Sequence, residues 1–195
     1  MDIKDKAIDI CLRPIEVWPE IKQERSGVRE LYESYAAILA GMPAAAHFIG
    51  ITVVGISFLG TRYRAPFLPA LGYAVLSYCF SLAGLYLFAL AAFGLAPRFG
   101  SRHSFLNAMK LGVYSSTPCW IGGILFVVPA LMPVAILLSL YGIYLLYLGL
   151  PVLMETPVER RPLYLAALVA VGVAISAIAC LLPASFFPQG RMGTV

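Results

Sequence analysis

Long apolar stretches without Lys, Arg, Asp or Glu constrain this chain more than any other feature. Five stretches are long enough to cross a bilayer, at 35–59, 67–96, 105–131, 133–154 and 163–183, and only the third holds a charged residue, Lys110. A transmembrane helix needs about 20 apolar residues. The chain is 12% charged, whereas a soluble domain is about a quarter charged. The sequence predicts an all-α polytopic membrane protein with five transmembrane helices.

The connections between these stretches are short, which makes neighbouring helices antiparallel. Pro129 and Pro133 bracket a tight turn between the third and fourth spans. Basic residues are enriched in cytoplasmic loops, and an N-terminus in the cytoplasm places ten of them on that side against Arg62, Arg64 and Arg191 on the other. The ten are Lys4, Lys6, Arg13, Lys22, Arg25, Arg29, Arg98, Arg102, Arg160 and Arg161. We expect a cytoplasmic N-terminus and an external C-terminus.

Residues 1–34 are predicted to form a short amphipathic cytoplasmic segment, followed by the transmembrane domain at 35–183 and a non-cytoplasmic tail at 184–195. Ile3, Ala7 and Ile10 share one helical face, and Pro14 ends that helix. Trp18 suits the headgroup region, where amphipathic rings are favoured, and is predicted to anchor the segment at the interface. The segment either packs under the bundle as a lid or docks a partner.

The third span carries polar residues that need a physical explanation. Asn107 and Lys110 share one face near its cytoplasmic end. Lys110 either snorkels to the headgroups or faces the bundle interior, paired with Glu155, Glu33 or a lipid phosphate. Pro118 frees the carbonyl of Tyr114, and the preceding hydroxyls are expected to satisfy such groups across a kink. Those hydroxyls belong to Ser115, Ser116 and Thr117.

An ionisable residue in mid-bilayer is a candidate for function, and His47 is the centre of the first span, four residues after a second predicted kink at Pro43. Counting depth along each span places His47 level with polar side chains of the other helices. Its predicted neighbours are Tyr78, Cys79, Ser81, Thr117, Cys119, Tyr141 and Tyr144. This layer is either closed by mutual hydrogen bonds or lines a hydrated cavity for a small polar ligand or proton.

No pattern typical of an enzyme is found. Nothing places an orienting carboxylate near His47, and the four cysteines have no spacing typical of a zinc site. We therefore predict no catalytic residue, no metal and no cofactor. A net charge of +4 is too small and dispersed for nucleic-acid binding.

Four segments together resemble the bacterial inner-membrane branch of the Yip family, the Ypt/Rab-GTPase-interacting proteins. They read "RPIEVWPEIKQE", "LYESYAAILAGMPAAAHFIG", "YSSTPCWIGGI" and "YGIYLLYLGLPVLMETP". The resemblance implies a helical five-span fold, a bacterial inner-membrane location and a non-enzymatic role. Eukaryotic members of the family bind prenylated Rab GTPases and have a long cytoplasmic N-terminal domain. Only about 34 residues precede the first span here, and the resemblance is to the bacterial branch, so a Rab-type GTPase is not an expected partner.

Two functions remain open at this point. The first is a scaffold or accessory subunit that organises membrane proteins or lipids, with the lipid bilayer, other membrane proteins or a second copy as partners. The second is a permease for a small solute, ion or lipid that uses the polar layer around His47 and Thr117.

Overall fold

Seven helices make up most of the structure, a computed structural model that describes residues 3–58, 61–186 and 193–194. Their bounds are α1 Ile3–Leu12, α2 Pro14–Gln23, α3 Val28–Val54, α4 Phe67–Leu95, α5 Phe105–Gly122, α6 Met132–Leu153 and α7 Arg161–Phe186. Short 3₁₀ turns follow α4 at Ala96–Phe99 and join α5 to α6 at Gly123–Val127 and Pro129–Leu131. The predicted helical class is confirmed.

Among the described residues, four segments are long and apolar enough to cross a membrane: Val28–Val54, Phe67–Phe99, Pro129–Leu153 and Arg161–Phe186. The predicted third span at 105–131 is not among them. Its helix, α5, ends at Gly122 and contains Lys110. Twelve of its 18 residues are buried, so α5 is the central helix and is surrounded by protein on most sides. A helix in that position does not need the hydropathy of a lipid-facing one. Five crossings stay a prediction.

α3 and α5 run parallel, and α5 is shifted along α3 in the direction of the N-terminal ends of the two helices. The hydroxyls of Tyr35 and Thr117 are 3.0 Å apart. Further along, a Cβ at Gly123 would lie 2.6 Å from Pro43, and one at Gly50 would lie 2.1 Å from the carbonyl oxygen of Phe126. The start of α5 therefore extends past the first residues of the apolar stretch of α3.

The N-terminal hairpin, α1 and α2, packs against this extension. Pro14 occupies the first turn of α2, where its missing N–H costs nothing. Lys6 pairs with Glu24, just after α2, so the two helices fold back on each other. Ile10 and Trp18 are fully buried. Of the two roles weighed for the segment, this packing is that of a lid.

Burial is concentrated at one end of the molecule, which we call the packed end. It comprises the N-terminal hairpin, the start of α5, the second half of α6, the last turns of α4 and the start of α7. Nearly all of the largest fully buried side chains lie there, and they include Trp18, Lys110, Tyr114, Leu150, Met154 and Tyr164.

The opposite end, which we call the apolar end, holds the last turn of α3, the start of α4, the α5–α6 turn and the last turns of α7. A short antiparallel sheet closes the α3–α4 connection, with β1 Ile56–Phe58 paired to β2 Thr61–Arg64. The strand β3, Gly193–Thr194, pairs with β2. The sequence predicted a loop and a tail here, because runs this short carry no clear alternating pattern. The predicted turn at Pro129 and Pro133 joins α5 to α6 as expected.

Candidate functional site: the packed end

Lys110 caps a helix rather than facing a carboxylate or a lipid. Its ammonium donates to the carbonyl oxygens of Ile21 at 2.7 Å and Glu24 at 2.6 Å, and the residue is 1% exposed. The last carbonyls of a helix lack intrahelical donors and carry partial negative charge. Lys110 therefore fixes the end of α2 onto α5. The snorkelling interpretation is wrong, and Glu33 and Glu155 bind other cations.

The carboxylate of Glu24 connects three elements. One oxygen pairs with Lys6 of α1, and the other accepts a hydrogen bond of 3.2 Å from the hydroxyl of Tyr114 on α5. Together with the Lys110 contact to its carbonyl, Glu24 ties both helices of the hairpin to the central helix. A partly buried charge with a cation and a hydroxyl as partners is compensated locally.

Trp18 lies in the interior, and its predicted role as an interface anchor is wrong. Its side chain is fully buried and meets Tyr114 edge-on, with ring centroids 6.4 Å apart. The indole occupies a notch at Gly149 of α6, where a Cβ would lie 2.9 Å from the indole and 2.6 Å from Leu111. The absence of a side chain at Gly149 creates the space that Trp18 fills. Fold packing has overridden the preference of tryptophan for interfaces.

Two tyrosines complete the cluster around the hairpin. Tyr35 contacts Tyr114 with ring centroids 5.1 Å apart, and its hydroxyl bonds Thr117. Tyr141 donates to the carbonyl oxygen of Cys11 at 3.0 Å, so the last turn of α1 is held by α6. The polar side chains of α5 and α6 thus satisfy backbone carbonyls of the N-terminal hairpin.

An ion cluster at Glu155 closes the outer edge of the packed end. Lys22 of α2 donates to its carboxylate at 2.8 Å and Arg102 at 3.0 Å. These two bonds hold the pKa of Glu155 below its ordinary value. The residue has a φ of +51°, a left-handed conformation that favours glycine after a helix. A glutamate at this strained position provides the carboxylate that links the hairpin to the α4–α5 connection.

The predicted polar layer around His47 is not assembled. Thr117 bonds Tyr35, which lies 12 residues before His47, or about 18 Å along α3. Tyr78 donates to the carbonyl of Ala37, Tyr141 bonds the hairpin, and Cys79 and Cys119 are exposed. Depth counting assumed that every span begins at the same level, but α5 is displaced along α3.

His47 instead lies among aromatic side chains near the apolar end. Its ring centroid is 5.2 Å from that of Tyr73 and 6.3 Å from that of Phe126. Its Nε2 is buried and has no hydrogen-bond partner among the described residues. Tyr144, another predicted member of the layer, is exposed on α6, and its ring is tilted against that of Tyr141, with the centroids 5.5 Å apart.

The polar run before Pro118 is accommodated within α5. Ser116 donates to the carbonyl oxygen of Gly112 at 2.8 Å, and Thr117 donates to that of Val113 at 3.3 Å. Ser115 is buried, and its hydroxyl has no partner among the described residues. The hydroxyls thus bond carbonyls one turn back, at Gly112 and Val113 rather than at Tyr114, whose carbonyl they were expected to satisfy. The helices continue past Pro118 and Pro43, and the kinks at both stay predictions.

Asn107 joins the start of α5 to the end of α6. Its side-chain amide donates to the carbonyl oxygen of Leu153 at 2.8 Å, and its backbone N–H donates to the hydroxyl of Ser104, which caps α5. Asn107 and Lys110 each bond the C-terminal end of a neighbouring helix. The polarity near the start of α5 is therefore used for helix capping.

Sequence reasoning missed the partners of Lys110 and Trp18. Backbone carbonyls carry no residue-type signal, so Ile21 could not be found from the sequence. Glu24 was visible in the sequence as an acidic residue after a Pro-rich helix. Gly149 was visible as a glycine in a tyrosine-rich helix. Within the part of the chain that the structure describes, no group of His, Cys, Asp and Glu is arranged to hold a metal ion.

A family model matches the sequence of this chain over most of its length. The model for the Yip1 domain covers residues 8–179, which includes most of the N-terminal hairpin, the central helix and most of α7. The chain belongs to the Yip1 domain family. The match includes both partners of each contact described for Lys110 and Trp18, so the packed end lies within the matched region except for the first residues of α1.

Two relatives of the chain share one name. The chain is 28% identical over 163 residues to the inner membrane protein YohC of Escherichia coli strain K12, which covers 80% of this chain and 82% of the relative. The protein of the same name in E. coli O6:H1 matches equally. No solved structure matches the chain. Membership of this family, similarity to inner membrane proteins and four described helices long and apolar enough to cross a bilayer make this chain a membrane protein.

Proposed function

We propose that this Yip1 family member is a non-enzymatic scaffold or accessory subunit of the bacterial inner membrane that organises other membrane proteins or lipids. The observation that carries the proposal is the bonding of Lys110 to the carbonyls of Ile21 and Glu24. The most polar residue of the central helix is occupied by the chain's own backbone. The ammonium group of Lys110 therefore contributes to the assembly of the fold, and contacts with other molecules are left to the exposed surface.

The exposed face of α7 supports a role in contacts with other molecules. Val173 and Leu181 are 63% and 69% exposed, and both lie on a helix that a bilayer surrounds. In a membrane, helices associate through packing and hydrogen bonds rather than through burial from water. This face provides the area over which another membrane protein or a second copy would pack.

The proposed topology is five crossings with the N-terminus in the cytoplasm. α5 and its 3₁₀ extension run from the packed end to Phe126, which lies against Gly50 at the far end of α3. α6 then returns to the packed end, where Lys22, Arg102, Arg160 and Arg161 are found. The concentration of basic residues there supports its placement in the cytoplasm. Labelling of single cysteines at positions 22 and 64 with an impermeant reagent in intact cells tests this orientation.

Photo-crosslinking tests the scaffold proposal. A crosslinking amino acid is placed at Val173, at Leu181 or, as an internal control, at Leu150, which is fully buried. We expect adducts with other membrane proteins or a second copy from an exposed position and none from the buried one. Recovery of a lone monomer from both exposed positions, in cells and after mild detergent extraction, would contradict the scaffold.

A second candidate function is a permease for a small solute, ion or lipid. The observation in its favour is the buried Nε2 of His47, which has no partner among the described residues. An intramembrane ionisable group without a partner is a candidate for transport. Proton or solute flux in liposomes is measured for the wild type and for His47→Ala. Loss of flux in the variant supports the permease, and flux that is absent or unchanged removes it.

A further inference from the structure

The exposed face of α6 changes character along its length. Leu137, Leu140, Tyr144 and Tyr147 recur every three or four residues and are 66%, 54%, 45% and 41% exposed. This spacing places them in one stripe along the helix. The two leucines lie toward the apolar end and the two tyrosines toward the packed end. An apolar surface that ends in tyrosines is typical of the boundary between acyl chains and headgroups.

Arg161, the first residue of α7, lies at the tyrosine end of this stripe. Its guanidinium carbon is 5.5 Å from the centroid of the Tyr147 ring. Its Nε is buried and has no hydrogen-bond partner among the described residues. A guanidinium over an aromatic face at this distance is attracted to the ring, and its N–H groups form a fork that suits phosphate.

The charge of Arg161 also differs from that of five other basic residues of the chain. Lys6, Arg13, Lys22, Arg29 and Arg102 each pair with a carboxylate. In residues 3–58 and 61–186, Arg161 has no such pair. The nearest acidic residues in its loop are Glu155, which binds Lys22 and Arg102, and Glu159, which is exposed. Arg161 thus combines a position over the Tyr147 ring with an uncompensated positive charge.

We propose that Arg161, Tyr147 and Tyr144 bind the phosphate of an anionic phospholipid, whose acyl chains lie along Leu140 and Leu137. The occupant is a lipid because the cation adjoins an exposed apolar stripe long enough for acyl chains, and it is anionic because the charge of Arg161 is uncompensated. The site does not depend on the scaffold function, and its test measures lipid binding alone.

Native mass spectrometry of the delipidated full-length protein tests the site. The protein is titrated with phosphatidylglycerol, with phosphatidylcholine and with inorganic phosphate, and binding is compared for Arg161→Gln, Arg161→Lys and Tyr147→Leu. The matched control is Arg160→Gln, because Arg160 is the adjacent residue, is exposed and donates to the carbonyl of Arg98 at 3.3 Å. Thermal unfolding of each variant confirms that the fold is retained.

We expect Arg161→Gln to weaken phosphatidylglycerol binding about fivefold, the effect of one basic residue at an anionic surface. Arg160→Gln is expected to change it less than about twofold, and Arg161→Lys to restore part of the loss. Equal losses for Arg160→Gln and Arg161→Gln would overturn the proposal, since they would show attraction by general charge. Equal binding of phosphatidylcholine, or displacement of the lipid by equimolar inorganic phosphate, would overturn it as well.

Discussion

The helix α7 begins in the packed end and finishes in the apolar end, so the two regions can be compared along a single helix. Near its start Tyr164 is fully buried, with its hydroxyl 2.5 Å from the carbonyl oxygen of Ala92, and Leu168 is fully buried beside it. Near its end Ile178 and Leu181 are 53% and 69% exposed. The composition hardly changes along the helix, so hydropathy does not reveal which residues pack against protein and which against lipid.

The difference shows that this chain is held together mainly at the packed end. There, side chains of the N-terminal hairpin, α5 and α6 interlock, and hydroxyl, amide and ammonium groups bond helix-terminal carbonyls. At the apolar end the helices present leucine, valine and isoleucine outward. Lipid solvates such side chains as well as a protein neighbour does. The same substitution is therefore expected to have unequal effects at the two ends.

The largest contrast is expected from a matched pair on α7. Leu168→Ala removes a fully buried side chain and leaves a cavity, which lowers the free energy of unfolding by about 3 kcal/mol. Leu181→Ala changes a residue that is 69% exposed, and the expected loss is below about 0.5 kcal/mol. Unfolding of both variants in the same detergent measures the difference. Equal losses would show that the two ends are packed alike.

A smaller loss is expected at Lys110. Lys110→Met retains the volume of the side chain but leaves the carbonyls of Ile21 and Glu24 without their donor, at a cost of about 2 kcal/mol. Lys4→Met, which removes an exposed cation from α1, serves as the control and is expected to be near neutral. Faster hydrogen exchange of α2 in Lys110→Met alone would confirm the capping role. Unchanged exchange would contradict it.

Two helical glycines give the next contrast. A Cβ at Gly149 would lie 2.6 Å from Leu111 and 2.9 Å from Trp18, so Gly149→Ala is expected to cost about 1.5 kcal/mol through overpacking. Gly94 has nothing within 4 Å of an added Cβ, and Gly94→Ala is expected to be neutral or slightly stabilising. The melting temperatures of the two variants, measured in the same detergent, test this contrast. A neutral Gly149→Ala would show that Trp18 can shift out of its notch.

The smallest effect is expected at Glu155, where it depends on pH. Its pKa is lower in the folded protein than its ordinary value, because Lys22 and Arg102 donate to the carboxylate. The stabilisation is therefore present above the ordinary pKa and is lost as pH falls through the lowered one. Glu155→Gln should be less stable than the wild type at pH 7, and the gap should close in acid. Glu159→Gln is the control, with no gap expected at either pH.

Much of the fold could be predicted from the sequence, because uncharged stretches of about 20 residues have few solutions other than membrane helices. The lengths of α4, α6 and α7 followed from that rule. The position of α5 along the neighbouring helix α3 did not follow from it. Nothing in its sequence shows that Thr117 lies beside Tyr35, since the displacement of two parallel helices is set by contacts such as Gly123 on Pro43.

The candidate site was predictable only in part. Lys110, Asn107 and Tyr114 stood out as polar residues in an apolar span, and all three form the contacts that join helices at the packed end. Their partners lay about 40 to 90 residues away and were mostly backbone carbonyls, which every residue has. Trp18 was assigned to the interface from its residue type, whereas the notch at Gly149 determines its position.

The N-terminal hairpin has a consequence for biosynthesis. Its carbonyls receive Lys110 from 86 and 89 residues further along the chain, and the glycine that receives Trp18 is made later still. At translation rates of 5–20 residues per second, the hairpin leaves the ribosome roughly ten seconds before its binding surface exists. Its docking is therefore a late event that follows insertion of the central helices, and a nascent chain stopped before Gly149 would display the indole of Trp18 without its notch.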